Sequence, residues 1–254
     1  MTDGVTRDGL LGGRLSLVQP ADGYRVAIDP VLLAAAVPAT PGERVLDAGV
    51  GTGAASLCLA ARQDEVQIVG LERERDLHRL AVLNARENGF ERRIDLMVGD
   101  LLRPPPRLTG ASFDHVMTNP PFLDAANATP PSGPRARAHV EDPLGLEAWL
   151  MACLRMLRPG GRLTLVHRAD RLGDALAALC GRLGDLVVFP LWPRAADRPA
   201  KRILIQGRKG GRGPLRLARG LVLHEADGSY TAPAHAILYR GAPLHLDPTE
   251  RRHA

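Results

Sequence analysis

The tetrapeptide Asn119-Pro120-Pro121-Phe122 carries the residue types best suited to chemistry in this chain. Each proline fixes φ and lacks an N–H donor. A turn built from them presents acceptors: the side-chain oxygen of Asn119 and the carbonyl of Pro120. Two acceptors suit an –NH2 group, which has two hydrogens to donate. Holding both draws the nitrogen toward tetrahedral geometry and points its lone pair at an electrophile. Phe122 offers a ring face on which a planar base or amide stacks. Such a site needs no strong general base, because the extra proton leaves after attack. Its catalysis is positioning and desolvation. The plain alternative is that the prolines only break a strand.

A second constellation lies upstream, in Asp47-Ala48-Gly49-Val50-Gly51-Thr52-Gly53. Glycines at alternate positions allow a tight turn and let backbone N–H groups approach a ligand closely. They lead into a helix N-terminus, which favours negative charge. Gly49, Gly51 and Ala54 also satisfy the GxGxxA form of a dinucleotide loop. Glu72 follows 25 residues after Asp47. A carboxylate there accepts from both ribose hydroxyls, fitting NAD or S-adenosylmethionine equally well; it also reads as a solvated acid of the Glu-Arg-Glu-Arg-Asp run. Asp100 suits an adenine amine as an acceptor and reads equally as a turn aspartate. NAD leaves the Asn119–Phe122 turn unexplained.

These residues need a scaffold that ends several strands at one place. Short apolar runs predict strands over 44–49, 66–72, 93–100, 113–119 and 161–168. Helices are predicted over 55–63, 76–89, 144–157 and 170–184, with Asp76 and Asp170 as N-caps and Gly89 as a stop. The Pro- and Ala-rich stretch 123–143 reads as a loop. Two final strands, 185–192 and 201–208, are joined too closely for a crossover helix, so they pair antiparallel. Repeated strand–helix units imply an α/β fold with a mostly parallel, doubly wound sheet. The expected division is an N-terminal extension (1–43) packed on the core, a catalytic domain (44–210) and a C-terminal extension (211–254).

The bulk numbers fit one large domain of 254 residues, with 45% hydrophobic residues. No apolar run is long enough for a membrane span and the start lacks a signal-peptide pattern, so the expectation is a cytoplasmic protein. Cys58, Cys153 and Cys180 are widely spaced and read as reduced, buried thiols. No Cys or His cluster has metal-ligand spacing. The net charge of +5 leans toward polyanionic partners. Basic residues crowd the segment from Arg194 to Arg219, where Lys201, Arg202, Arg208, Lys209 and Arg212 could track phosphates. The segment reads equally as a solvated hairpin in an arginine-rich chain. Arg135 and Arg137, just after the Asn119–Phe122 turn, are better placed to meet a target nucleotide, although Asp124, Glu141 and Asp142 in the same loop keep its charge from being decisively positive.

The run VLDAGVGTG with Glu72, Asp100 and NPPF resembles the amino-methyltransferases of the seven-stranded, class I (Rossmann-like) S-adenosylmethionine-dependent type. The resemblance spans roughly 44–208 and implies a last strand inserted antiparallel between strands five and six. It also implies that Asp47, Gly49, Gly51 and Gly53 hold the methionine and ribose part of the cofactor, Glu72 the ribose and Asp100 the adenine. The segment 12–38 and the stretches RAHVEDPLGLEAWL, LVHRADRLGDAL and AKRILIQGRKG are similar to bacterial tRNA adenine-N6 methyltransferases. The expected activity is therefore methylation of an adenine N6 in RNA, most naturally in a tRNA anticodon loop. A glutamine-N5 methyltransferase of translation factors is the alternative enzyme, but the short N-terminal segment leaves little room for its helical substrate domain. A DNA adenine methyltransferase lacks a recognition domain here, and a non-catalytic RNA-binding module would not need an intact NPPF. Asp29-Pro30 reads as an N-cap with proline at the first helical position rather than a cofactor contact.

Overall fold

Along β3 (Arg44–Ala48), Val45 packs into one hydrophobic cluster and Leu46 into another. Successive strand side chains point to opposite faces, so a strand buried on both sides needs a layer on each. Ile68 and Val69 of β4 (Gln67–Glu72) repeat the split, as do Met117 and Val116 of β6 (Phe113–Thr118). The computed structural model describes residues 4–22, 25–120, 145–194 and 198–246. One face of the sheet is covered by α1 (Asp29–Ala36), α2 (Ala54–Arg62) and α6 (Ala232–Arg240). The other is covered by α4 (Gly145–Met156) and α5 (Leu172–Leu179).

The strand order is β5-β4-β3-β6-β7-β9-β8, with β5 (Ile94–Val98), β7 (Leu157–Arg168), β8 (Leu183–Arg194) and β9 (Arg202–Lys209). Only β9 runs antiparallel to its neighbours within this set. This is the seven-stranded sheet with an inserted last strand that the sequence predicts. Beyond β8 the sheet continues through two short parallel strands, β10 (Arg216–Leu217) and β11 (Leu221–His224). Neither is long enough to show a period in sequence. A separate hairpin, β1 (Val5–Leu10) with β2 (Leu15–Pro20), turns at Gly12-Gly13, both at positive φ. Leu15 and Leu17 of β2 join the core on the α1–α2 face.

Three expected N-caps are absent. Asp29 opens α1, but its carboxylate accepts from Arg202 at 2.8 Å and makes no cap bond. Asp76 sits in the first turn of α3 (Arg75–Glu87) and pairs with Arg79. Asp170 lies in a single 3-10 turn before α5 and pairs with Arg168. In each case a guanidinium offers the carboxylate a charge-assisted partner, stronger than a backbone amide. Cys58 and Cys153 are buried as expected, whereas Cys180 is exposed because α5 stops at Leu179, short of the predicted end.

Cations satisfy carbonyls at several helix C-termini, where the helix has none of its own donors left. Arg62 donates to Ala34 and Val37 at the end of α1. Arg93 donates to Ala60 and Gln63 at the end of α2. The Nζ of Lys209 donates to the carbonyls of Leu154 and Leu157 at 2.7 Å each. Lys209→Met keeps the stem but removes both charged hydrogen bonds, and should cost about 1.5–3 kcal/mol of stability. Denaturant unfolding measures this; an unchanged midpoint would show that the ammonium is not holding α4.

Candidate active site

Register brings the predicted residues to one edge. Thr118 of β6 lies opposite Ala48 of β3, and Ala48 lies opposite Leu71 of β4. One step further along three parallel strands, Asn119, Gly49 and Glu72 therefore leave the sheet side by side. Glu72 is opposite Val98 of β5, which places Asp100 two residues past the same edge. In α/β sheets ligands bind outside the carboxyl ends of the strands, where the strand order reverses. The order reverses here between β3 and β6, the strands that deliver Gly49 and Asn119.

The loop after β3 is held from below by its carboxylates. Glu72 accepts from the N–H groups of Gly51 and Glu74, each at 2.9 Å. Asp47 is 2% exposed and accepts from the Ser56 hydroxyl at 2.7 Å. Burial pushes its carboxyl up to about 7; the Ser56 hydrogen bond opposes this, and the nearby Glu72 charge adds to it. An acid whose folded pKa exceeds its unfolded one stabilises the fold while protonated. That contribution should be lost as pH rises from about 4 to about 7. Asp47→Asn should flatten the fall, as read by denaturant midpoints across a pH series; parallel curves for both proteins would exclude Asp47 as the source.

Two features leave the loop room and a hydrogen-bonding group for a ligand. A Cβ built on Gly51, at φ +58°, meets nothing within 4 Å, so open space lies in front of this residue. The Thr52 hydroxyl is buried yet makes no hydrogen bond among the described residues. A buried hydroxyl without a partner is costly unless something supplies one. Gly53 caps α2 in the left-handed region, so the loop runs straight into a helix N-terminus, which favours negative charge.

The acceptor side is built on β6 and α4. The Asn119 side-chain oxygen is buried and Pro120 is buried behind it. Trp149 of α4 donates from its indole N–H to the Thr118 hydroxyl at 2.9 Å, and that hydroxyl donates to the Ala48 carbonyl at 2.8 Å. The six-membered ring of Trp149 lies against Gly49, where an added Cβ would meet it at 3.1 Å. One indole thus ties the end of β6 to the end of β3. Sequence reading missed it; the only signal was a lone tryptophan on a predicted helix shortly after the proline turn. His167, buried on the neighbouring β7, is pushed down to about 4 by burial and by Arg171, Arg168 and Arg202. It is neutral at pH 7 and adds no charge to this edge.

Pro121, Phe122, Arg135, Arg137 and the predicted loop 123–143 lie outside the described residues. The structure separates the other expected RNA contacts. Because β9 is antiparallel, Arg202 pairs with Arg168 at the carboxyl end of β7, whereas Arg208 pairs with Arg162 at its opposite end. Lys201 and Arg202 therefore sit at the edge that carries Asn119. Arg208, Lys209 and Arg212 lie at the far edge, about 20 Å away at ~3.4 Å per residue. Asp100 accepts from the Leu102 N–H at 2.9 Å, as a turn aspartate does, and keeps lone pairs for a second donor.

Known proteins similar to this chain are methyltransferases. A tRNA1(Val) (adenine(37)-N6)-methyltransferase of Porphyromonas gingivalis is 30% identical over 234 residues, covering 86% of this chain and 88% of that protein. One from Shewanella loihica is 33% identical over 160 residues, covering 62% and 65%. A solved structure of a predicted O-methyltransferase from Agrobacterium tumefaciens superposes with a TM-score of 0.71 at 26% identity, covering 85% of this chain and 98% of that one. A tRNA (m1A58) methyltransferase from Aquifex aeolicus shares the fold at a TM-score of 0.55 and 15% identity, covering 75% and 72%. Residues 25–183, which include the glycine loop, Glu72, Asp100 and the Asn119 turn, match the methyltransferase small domain, and the chain belongs to that family of S-adenosylmethionine-dependent methyltransferases.

Proposed function

We propose that this protein methylates the exocyclic N6 of an adenine in the anticodon loop of a tRNA. One observation carries the reading: Asn119 and Pro120 leave β6 beside the point where the glycine loop leaves β3. An amine acceptor and a nucleotide-type loop are thereby neighbours. Relatives matched over most of their length are named as tRNA1(Val) (adenine(37)-N6)-methyltransferases, which supports the acceptor atom and the RNA class.

S-adenosylmethionine supplies an electrophilic sulfonium methyl. Gly49, Gly51 and Gly53 let the backbone approach it, with Asp47 beneath the loop. Glu72 accepts from the ribose hydroxyls, using lone pairs its bonds to Gly51 and Glu74 leave unused, and Asp100 accepts from the adenine amine. Asn119 and the Pro120 carbonyl hold the two hydrogens of the target –NH2, and Pro121 keeps the turn rigid. Phe122 stacks on the target base. Trp149 ties the end of β6, which delivers Asn119, to the end of β3, which delivers Gly49. The adenine must leave its stack, which costs a few kcal/mol in a duplex and less in a loop; a loop adenine is the natural target.

The test is transfer of labelled methyl groups from S-adenosylmethionine to unmodified tRNA, followed by nucleoside analysis. N6-methyladenosine is expected. Label on a peptide glutamine with none in RNA, or label on a ribose oxygen, would overturn the reading.

The two groups of basic residues give a second test. Lys201→Ala, at the active-site edge, should weaken tRNA binding and lower the slope of log K against log salt by about 0.9. Arg208→Ala with Arg212→Ala, at the far edge, should change neither. Arg135 and Arg137 belong to the proposed RNA contacts with Lys201 and Arg202. A salt series on each variant decides; equal losses at both edges would mean RNA wraps around the sheet rather than crossing one side.

A further inference from the structure

The glycine loop is gripped from two sides, by β4 and by α3. Glu72 holds the Gly51 N–H from β4. The other grip comes from Asn84, a fully buried side chain on α3. Its Oδ1 accepts from the Val18 N–H at 2.7 Å. Its Nδ2 donates to the Val18 carbonyl at 2.8 Å and to the Thr52 carbonyl at 2.9 Å. One carboxamide thus pairs with β2 as a neighbouring strand would, and spends its remaining hydrogen on the cofactor loop.

That last bond falls where the loop has least stiffness of its own. Thr52 stands between Gly51 and Gly53, both in the left-handed region. Glycine moves between left- and right-handed conformations at little steric cost. The peptide that follows Thr52 is held at both ends: its N–H, that of Gly53, donates to the Val50 carbonyl at 2.9 Å within the loop, and its carbonyl is held from outside the loop by Asn84. One turn later, Asn88 makes a similar pair of bonds to Ser16 of β2, at 3.0 and 2.7 Å, and a third to the Asn84 carbonyl. Among the described residues Asn88 makes no hydrogen bond to the loop. The two asparagines therefore divide the work: both fasten the N-terminal hairpin to α3, and only Asn84 joins hairpin and loop.

We propose that Asn84 is a positioning residue for the cofactor loop, and that through it the β1–β2 hairpin sets the affinity for S-adenosylmethionine. This rests on the reading that the glycine loop holds that cofactor. Asn84→Ala should raise the Kd and KM for S-adenosylmethionine at least tenfold, leave kcat at saturating cofactor within about threefold, and leave the KM for tRNA unchanged. Asn88→Ala should lower the unfolding temperature by a similar amount but keep cofactor affinity within twofold. A purely structural role predicts equal losses of stability and no change in cofactor Kd for either variant, and that result would overturn the proposal. Asn84→Ser serves if the alanine variant does not fold, with an intermediate rise in Kd.

A measurement on the unmodified protein removes dependence on any variant. Coupling between sites is reciprocal, so adding S-adenosylmethionine should slow hydrogen exchange at the Val18 amide, which donates to Asn84. Exchange at Val18 that is indifferent to saturating cofactor would overturn the coupling. Gly51→Val separates the two possible failures. If it binds cofactor normally, the loop assignment is wrong; if it loses binding while Asn84→Ala does not, the loop assignment stands and the role of Asn84 falls.

Discussion

Asn119→Ala is expected to reduce methyl transfer by a hundredfold or more while leaving S-adenosylmethionine affinity near that of the unchanged protein. Its carboxamide oxygen is buried at the end of β6, level with Gly49, so it is fixed before any substrate arrives. A preorganised polar contact of this kind, removed from an active site, costs about 3 kcal/mol of transition-state stabilisation. The loss should appear in kcat rather than in cofactor binding, because the neighbouring loop is held by Glu72 and Asn84. Asn119→Asp keeps an acceptor oxygen and should recover part of the rate. Single-turnover transfer to tRNA, with cofactor binding by calorimetry, separates the two effects. Near-normal turnover in Asn119→Ala would move the amine pocket elsewhere.

The glycine loop, Glu72 and the proline turn were legible because each is local. A turn glycine, a strand-end acid and a proline pair announce themselves within a few residues, and the alternation of strands and helices fixes the edge on which they meet. The inserted strand was legible for the same reason, since a short link between 192 and 201 excludes a crossover. The rest depends on partners distant in sequence. Nothing in LNARENG states that Asn84 will face Val18 and Thr52, 66 and 32 residues away. Trp149 reads as one more apolar residue of a helix until Thr118 and Gly49 are seen against it. Asp29 has an N-cap sequence, and only the tertiary fold brings Arg202 to it across 173 residues.

The basic segment teaches a different lesson. Its charges cluster along the chain, but the antiparallel β9 sends their two ends to opposite edges of the sheet. Lys201 and Lys209 are eight positions apart and serve different regions: the first lies by the acceptor edge, and the second is bound to the end of α4. Clustered charge in sequence is evidence for a common surface only after strand direction is taken into account.

Gly51→Val is expected to lower S-adenosylmethionine affinity by at least a hundredfold with a modest loss of stability. The two costs differ because of where the side chain goes. At φ +58° the backbone is in the left-handed region, and a residue with a Cβ there is strained by about 1–2 kcal/mol. Nothing in the protein lies within 4 Å of that Cβ, so no packing clash adds to the strain. The space it enters is the space assigned to the cofactor, and two methyl groups would fill it. Gly70 provides the contrast. A Cβ at Gly70 meets the Leu96 side chain at 2.6 Å and Val50 at 3.0 Å, with no φ that needs glycine. Gly70→Ala should therefore lose stability first, with cofactor affinity falling only through displacement of Val50. Calorimetry with S-adenosylmethionine, alongside thermal unfolding of both variants, tests the distinction. If Gly51→Val folds and binds as the unchanged protein does, the open space before the loop is not the cofactor site.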